Sequence, residues 1–198
     1  MHTLRLFVAV ETPPSAREEL GELRRALERT GAAVRWEGLE KMHITLKFLG
    51  PVGENLLPEA VHTLEEACRG GFPFRVEYAG IGAFPHFRSP RVIWAGVRDP
   101  RGGFPPLHRA VEEGYARIGF PREERPFHPH VTLGRVGGGF IPDRLLRTIE
   151  STTFESRTVE IRHCALVRSD LRPSGSVYTT LHRFPLGPSD TETTGAIP

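Results

Sequence analysis

The tetrapeptide HITL at residues 43–46 is nearly repeated as HVTL at residues 130–133. Histidine, threonine and leucine recur at the same offsets, and only the β-branched residue between His and Thr differs. The chain holds 9 His among 198 residues, so chance is a poor explanation for two copies. Polar and apolar residues alternate in both copies, which is typical of a strand with one buried face. The repeat therefore predicts two equivalent strands in two equivalent halves of the fold.

Similar elements surround the two copies in the same order. In the first half, apolar periodicity predicts a strand at 4–10, a helix that begins after Pro14, the HxTL strand at 43–49, a helix at 56–68 and a strand at 74–84. The second half repeats this order, with a strand at 91–97, a helix at 105–118, the HxTL strand at 130–136 and a helix that begins after Pro142. It ends in a closing pair of strands at 157–171 and 176–186. The architecture is therefore duplicated, although little of the sequence outside the tetrapeptide is.

This duplication predicts an α+β, bilobal fold. Two strand–helix–strand–helix–strand halves, related by pseudo-twofold symmetry, would surround a central groove. We expect one bilobal domain at residues 1–186, with lobes that mix roughly 1–88 and 89–186. The polar, aperiodic segment at 187–198 is typical of a mobile tail.

The composition excludes several classes of protein. Hydrophobic residues make up 38% of the chain and charged residues 25%, as in globular proteins. No apolar run approaches the ~20 residues that span a membrane, and the N-terminus lacks the pattern of a secretory signal. The two cysteines form no CxxC motif, which favours a reducing compartment over a disulfide framework. We therefore expect a cytoplasmic protein without a membrane partner, and a monomer.

The basic residues favour a phosphate pocket more than a broad nucleic-acid surface. The formal net charge is only +2, and all but two of the 26 basic residues are Arg. Such a balance does not require a nucleic-acid partner, but it permits a local Arg-lined site. Gln is absent and Asn occurs once, so thermolabile side chains are scarce, which favours a thermophilic source.

The His-x-Thr pattern places two kinds of chemistry side by side. Alternate strand residues point the same way, so His43 lies beside Thr45 and His130 beside Thr132. The same alternation puts Lys47 on the face of His43 and turns Phe48 away from it. Across a groove, a neutral imidazole can take a proton from an attacking oxygen while a charged one protonates the leaving oxygen.

These groups suit phosphodiester chemistry. Threonine hydroxyls can donate to phosphate oxygens, where negative charge must be held. The reaction needs no metal and no cofactor, and carboxylates are scarce near the motifs. The imidazole chemistry alone does not choose which His is the acid and which is the base.

Other interpretations compete with this one. A single His-x-Thr pair is usually an ordinary half-buried pair, and His128 and His130 could instead belong to a zinc site. The groove could also bind nucleotides without catalysis. Phe84, Phe87 and Phe127 could stack a terminal base, although packing in the core or in loops is the commoner use of such residues.

The twin motifs resemble those of the 2H phosphoesterases. More narrowly, residues 3–186 resemble the 2'-5' RNA ligase-like family of RNA 2',3'-cyclic phosphodiesterases. The resemblance is carried by flanking strings as well as the motifs, among them MHITLKFLGPVGE (42–54), FPHFRSPRVIWAGV (84–97) and HPHVTLGRV (128–136).

The resemblance implies an activity and a role for each site residue. It implies hydrolysis of the 2',3'-cyclic phosphate at an RNA 3' end to a 2'-phosphomonoester, and also 2'-5' ligation of tRNA halves. His43 would be the proton donor and His130 the proton acceptor. The substrate phosphate would be held by Thr45, Thr132 and Arg135.

Arg135 poses a problem of strand parity. It follows His130 by five residues, which is an odd number, so a regular strand would turn it away from the groove. We therefore expect the strand to bend or end at Gly134.

Overall fold

The computed structural model describes residues 2–137, 142–173 and 175–188, and within these ranges it contains four α-helices and nine strands. The strands are β1 (Thr3–Glu11), β2 (Val34–Trp36), β3 (His43–Gly53), β4 (Phe74–Phe84), β5 (Val92–Arg98), β6 (His130–Val136), β7 (Val159–Ile161), β8 (His163–Arg172) and β9 (Gly175–Pro185). The helices are α1 (Pro14–Glu28), α2 (Leu57–Arg69), α3 (Phe104–Arg117) and α4 (Asp143–Ser151). The α+β class and the duplicated order of elements are confirmed. The short strand β2 was not predicted.

The strand order shows how the two halves combine. The strands pair antiparallel in the order β7-β4-β5-β6-β3-β1-β8-β9, and β2 pairs with β6. The two HxTL strands, β3 and β6, meet at the centre through Ile44 and Val131. The third strand of each half lies beside the first strand of the other half, because β4 pairs with β5 and β8 pairs with β1. The pseudo-twofold axis therefore passes between β3 and β6, and each lobe mixes strands from both halves.

The prediction of one strand at 157–171 is wrong. It does not form a single strand, because β7 ends at Ile161 and β8 begins at His163. β7 pairs with β4 at one end of the strand order, whereas β8 pairs with β1 near the other end. Only Arg162 separates the two strands, so the two ends of the sheet lie close together. The sheet is therefore strongly curled.

One face of the sheet packs on the helices and the other forms the groove. Leu6, Val8 and Val10 of β1 join the main core together with the apolar sides of the helices. The residues between them, Phe7 and Ala9, form a smaller cluster on the opposite face. The alternation within β1 thus separates the core from the groove.

A β-bulge occurs at the same place in both HxTL strands. In β3, Val8 pairs with Lys47 and Ala9 with Thr45, so the bulge falls at Leu46 and Lys47. In β6, Ile93 pairs with Gly134 and Trp94 with Thr132. A bulge inserts one extra residue and reverses the facing of everything that follows it. The duplication therefore extends to this bulge, and the pairing of β3 with β1 has a second register shift opposite Leu6 and Phe7.

The bulge overturns the predicted facing of Lys47 and Phe48. Lys47 does not share the face of His43, since its side chain is buried and bonds to Glu112 on α3. Phe48 faces the groove and is 68% exposed. Strict alternation failed here because it assumed a regular strand.

Two further predictions concern the chain beyond the sheet. The mobile tail expected at 187–198 lies, from residue 189 onward, outside the described residues, and the domain boundary at 186 stays a prediction. Among the described residues, no helix has the length and apolar character that a membrane crossing requires.

Candidate active site

The groove is a cavity of about 1730 Å³ between the two lobes. Its lining contains all five residues that the sequence predicts for the site: His43, Thr45, His130, Thr132 and Arg135. Pockets for small molecules usually have volumes of ~300–1,000 Å³, so this groove has room for more than one nucleotide. The structure thus brings the predicted residues together, while their individual roles stay predictions.

The two imidazoles are anchored in the same way. Nδ1 of His43 donates to the carbonyl oxygen of Lys41 at 2.6 Å, and Nδ1 of His130 donates to the carbonyl oxygen of His128 at 2.7 Å. A carbonyl oxygen only accepts, so each neutral ring carries its proton on Nδ1 and leaves Nε2 as an acceptor. Nε2 of His43 lies 3.1 Å from the hydroxyl oxygen of Thr45. Nε2 of each ring is therefore not used by a backbone hydrogen bond.

The surroundings disfavour positive charge on both imidazoles. The pKa of His43 is lowered to about 4, mainly by burial and also by the nearby His130 and Arg135. Burial also lowers the pKa of His130, with contributions from His128 and Arg135. A bound anion would raise both pKa values, because it stabilises the charged form of each ring.

Aromatic side chains hold the two histidines in place. The His43 ring lies 4.9 Å from that of Phe7 and 5.3 Å from that of Tyr178, between centroids. The His130 ring lies 4.9 Å from that of Phe84 and 6.0 Å from that of Trp94. Sequence reasoning missed Phe7, Tyr178 and Trp94 as neighbours of the site. In the structure, Leu6 and Val8 of β1 enter the main core, and Phe7 between them lies on the opposite face.

The three phenylalanines considered for base stacking have different surroundings. Phe84 lines the groove and packs edge-on against His130. Phe127 also lines the groove and stacks on His108 at 4.2 Å. Phe87 packs against the main core. None of the three is among the strongly exposed aromatic residues of the described chain.

The bulge of β6 resolves the parity problem of Arg135. Leu133 and Gly134 are both buried, and Arg135 then returns to the groove face. Its Nε lies 3.3 Å from Oε1 of Glu37, which follows β2. This ion pair holds one edge of the guanidinium, so the remaining N–H donors can reach a phosphate. Glu37 carried no sequence signal, because the contact bridges residues that lie far apart in the chain.

The zinc interpretation of His128 and His130 finds no third ligand in the described part of the chain. There, no three His, Cys, Asp or Glu side chains are grouped as metal ligands would be. The carbonyl oxygen of His128 is instead the acceptor that orients His130.

Comparison with known proteins agrees with the paired HxTL strands. Residues 7–173 match the model of the 2'-5' RNA ligase superfamily. This chain belongs to that superfamily. Its relatives within the superfamily include proteins named RNA 2',3'-cyclic phosphodiesterase. One, from Methanothermobacter thermautotrophicus, is 35% identical over 184 residues, which cover 92% of this chain and 99% of the relative. Another, from Archaeoglobus fulgidus, is 36% identical over 183 residues, covering 91% and 99%.

Two solved structures have the same fold. The crystal structure of a Thermus thermophilus protein superposes with a TM-score of 0.82 at 30% identity, covering 93% of this chain and 99% of that one. Escherichia coli LigT complexed with 3'-AMP gives a TM-score of 0.74 at 26% identity, with the same coverage. The sources of the curated relatives are consistent with the thermophilic origin that the composition favours.

Arg135 should matter more for its fork geometry than for its charge. We expect Arg135→Ala to lower kcat/KM by roughly ten- to a hundred-fold, the range for hydrogen bonds to charged groups. Arg135→Lys should recover little, because an ammonium cannot present two parallel donors to non-bridging oxygens. Steady-state kinetics on a cyclic-phosphate substrate measures both. If Arg135→Ala keeps the wild-type kcat/KM, the residue is only a surface charge.

The lowered pKa values predict that kcat and kcat/KM depend differently on pH. We therefore expect both imidazoles to be neutral in the free protein near pH 7, so that His43, the predicted proton donor, would lack its proton. Because the pKa of His43 is lowered to about 4, kcat/KM should fall as the pH rises above about 4. Bound phosphate raises both pKa values, so the alkaline limb of kcat should lie at higher pH. Measured pH profiles of kcat and kcat/KM test this prediction. It would be contradicted if the alkaline limb of kcat/KM lay at the same pH as that of kcat or at a higher pH.

Proposed function

We propose that this protein hydrolyses the 2',3'-cyclic phosphate at RNA 3' ends to a 2'-phosphomonoester, with two histidines as acid and base. The observation that carries the proposal is the symmetric pair of imidazoles, His43 and His130, which line one groove with Nε2 free of any backbone bond. Each positioned proton transfer of this kind typically contributes ~10²–10⁴ in rate.

In the proposed step, Nε2 of neutral His130 takes a proton from water, whose oxygen bonds to phosphorus. The bond from phosphorus to O3' breaks, and Nε2 of charged His43 gives its proton to O3'. The non-bridging oxygens receive hydrogen bonds from Thr45, Thr132 and Arg135. Proton exchange with solvent then restores the starting forms of the two rings.

The relatives support the substrate class. Those from Methanothermobacter and Archaeoglobus are named RNA 2',3'-cyclic phosphodiesterase and match nearly their whole length. LigT, which shares the fold, was crystallised with 3'-AMP. A ribonucleotide with phosphate at its 2' or 3' position is therefore the ligand chemistry that we assign to this groove.

The same groups would also allow 2'-5' ligation. The 5'-hydroxyl of a second RNA would take the place of water, and the product would carry a 2'-5' phosphodiester. tRNA halves with cyclic-phosphate ends are one such substrate. We further propose that the protein acts as a cytoplasmic monomer without a resident metal or cofactor.

Catalytic turnover in the absence of metal ions distinguishes the proposed enzyme from a binding module and from a zinc enzyme. Purified protein is incubated with excess oligoribonucleotide 2',3'-cyclic phosphate in EDTA, beside the His43→Ala/His130→Ala double variant as control. We expect many turnovers per wild-type molecule and almost none for the control. Saturable binding without turnover would favour the binding-module alternative. Activity lost in EDTA and restored by zinc would favour a metal site.

A further inference from the structure

Residues 121–128, here called the approach loop, lead into the strand of the second motif and form no helix or strand. In the described part of the chain, residues 121–127 make no hydrogen bond from backbone to backbone. The end of the loop nevertheless supplies the carbonyl oxygen of His128, which accepts the bond from Nδ1 of His130 at 2.7 Å. The proposed base is therefore oriented by a stretch of chain that backbone hydrogen bonds do not hold in place.

The equivalent carbonyl oxygen in the first half is held by the backbone itself. It belongs to Lys41, accepts the bond from Nδ1 of His43, and lies at the end of a short 3₁₀ turn, Leu39–Lys41. The backbone N–H of Lys41 donates to the carbonyl oxygen of Gly38 at 3.0 Å. The carbonyl oxygen of His128 has no such turn before it, so its support must come from elsewhere in the fold.

One side of α3 supplies this support. Phe104, His108 and Glu112 follow one another at intervals of four residues, so they lie on the same side of the helix. At the end of the approach loop, the Phe127 ring stacks on His108 at 4.2 Å and lies 5.9 Å from the Phe104 ring, between centroids. At its start, Oε2 of Glu112 accepts a bond from the backbone N–H of Glu123 at 3.2 Å. α3 therefore contacts the loop near both of its ends.

Lys47 joins this side of α3 to the strand of the first motif. Its Nζ donates to Oε2 of Glu112 and to the carbonyl oxygen of Pro121, each at 2.8 Å. Lys47 and Glu112 are only 5% and 7% exposed, so these charge-assisted bonds are shielded from water. Lys47 and the three residues of α3 are here called the brace. The brace connects the strand that carries the proposed acid to the loop that orients the proposed base.

We propose that the brace is a positioning device, which holds the carbonyl oxygen of His128 against Nδ1 of His130. The inference rests on the proposed function, in which His130 is the base. The bond made by one ring nitrogen of a histidine decides whether the other carries the proton. If the carbonyl oxygen is displaced, the proton can move to Nε2, and a neutral ring protonated there cannot take a proton from water. The brace therefore acts on the reaction through His130.

Phe127→Ala tests the proposal, because it removes the ring through which α3 contacts the end of the approach loop. Burial lowers the pKa of His130, and the bond from Nδ1 to the carbonyl oxygen of His128 opposes this shift. Loss of that bond should therefore lower the pKa further and populate the tautomer with its proton on Nε2. Nitrogen NMR of the histidine rings during a pH titration of the free protein measures both, with His130→Ala as the assignment.

Hydrolysis of adenosine 2',3'-cyclic phosphate is the second readout. We expect Phe127→Ala to lower kcat by roughly ten- to a hundred-fold, the cost of a small misplacement of a reacting group, with little change in KM. The acid limb of the kcat profile reports the base, so it should move to lower pH as the pKa of His130 falls. A variant that is only less stable would keep the wild-type limb.

Three further variants complete the comparison. His108→Ala, the milder change should Phe127→Ala fail to fold, should shift the pKa of His130 in the same direction by a smaller amount. His108→Phe should restore the wild-type values, because a phenyl ring also stacks on Phe127. His62→Ala is the matched control, since His62 is an exposed histidine on α2 outside the groove lining, and it should leave every value unchanged.

The outcomes separate this inference from the proposed function. If Phe127→Ala and His108→Ala keep the wild-type pKa and tautomer of His130, the brace does not position the base, even if kcat falls. If these NMR signals change as expected but the wild-type protein hydrolyses no cyclic phosphate, the positioning is supported and the proposed function fails.

Discussion

Replacing His43 or His130 by alanine should lower kcat on a cyclic-phosphate substrate by at least ~10²-fold, since each change removes one positioned proton transfer. The double variant should lose much less than the product of the two single losses. Groups that act in one step are not additive, because removing either already disables the shared step. Rapid-quench or steady-state assays of the three variants measure this directly.

The pH profiles of the single variants assign the roles. The competent pair holds one proton, so the wild-type profile should be a bell whose limbs report macroscopic pKa values of the pair. His43→Ala should flatten the alkaline limb, because it removes the proton donor. His130→Ala should flatten the acid limb, because it removes the base. Exchanged limbs would reverse the two roles, and wild-type rates in both variants would defeat the catalytic interpretation of the twin motifs.

Breaking the buried ion pair between Lys47 and Glu112 should be the most destabilising single change in the groove wall. Nζ of Lys47 donates to Oε2 of Glu112 and to the carbonyl oxygen of Pro121, each at 2.8 Å. Removing one partner leaves the other charge buried without compensation, which costs about 3–5 kcal/mol. We therefore expect Lys47→Met and Glu112→Gln each to lower the free energy of unfolding by that order, measured by chemical denaturation.

The effect should depend on burial, and two comparisons test this. Arg69 and Glu65 form a pair at 3.0 Å in which both side chains are exposed, so Arg69→Met should cost less than about 1 kcal/mol. The double change Lys47→Met/Glu112→Leu should recover much of the loss, because it removes both charges. Equal losses for the buried and exposed pairs would contradict this account of the groove wall.

The same pair supports the loop that leads to the second motif. Oε2 of Glu112 also accepts a hydrogen bond from the backbone N–H of Glu123 at 3.2 Å. The segment 121–128 has no helix or strand of its own and lines the groove. Lys47 therefore joins the strand of the first motif to the approach of the second. Sequence alone offered no reason to pair residues 65 positions apart.

Much of the fold followed from local patterns, and the failures have physical causes. The repeated tetrapeptide predicted two equivalent strands because strand alternation is local, and Ile44 and Val131 do meet at the centre of the sheet. Alternation could not show the bulges, which depend on pairing with β1 and β5. Lys47 and Phe48 were therefore assigned to the wrong faces. The predicted irregularity of β6 near Gly134 is the bulge that turns Arg135 into the groove.

Only part of the candidate site could likewise be predicted from local sequence patterns. His43, Thr45, His130 and Thr132 could be found from sequence because two residues of one strand share a face. Glu37, Phe7 and Tyr178 reach the groove only through long-range pairing, so no local pattern marked them. Each imidazole also bonds to the carbonyl oxygen two residues earlier in the chain, a contact that strand alternation does not predict.

The identity of the product tests the central claim most directly. Adenosine 2',3'-cyclic phosphate is incubated with the wild-type protein in EDTA, and the product is identified by phosphorus NMR against authentic 2'-AMP and 3'-AMP. The account predicts multiple turnovers to 2'-AMP alone, since O3' leaves on the side of His43 and the phosphate stays on O2'. A 3'-AMP product, or an unchanged cyclic phosphate, would contradict it.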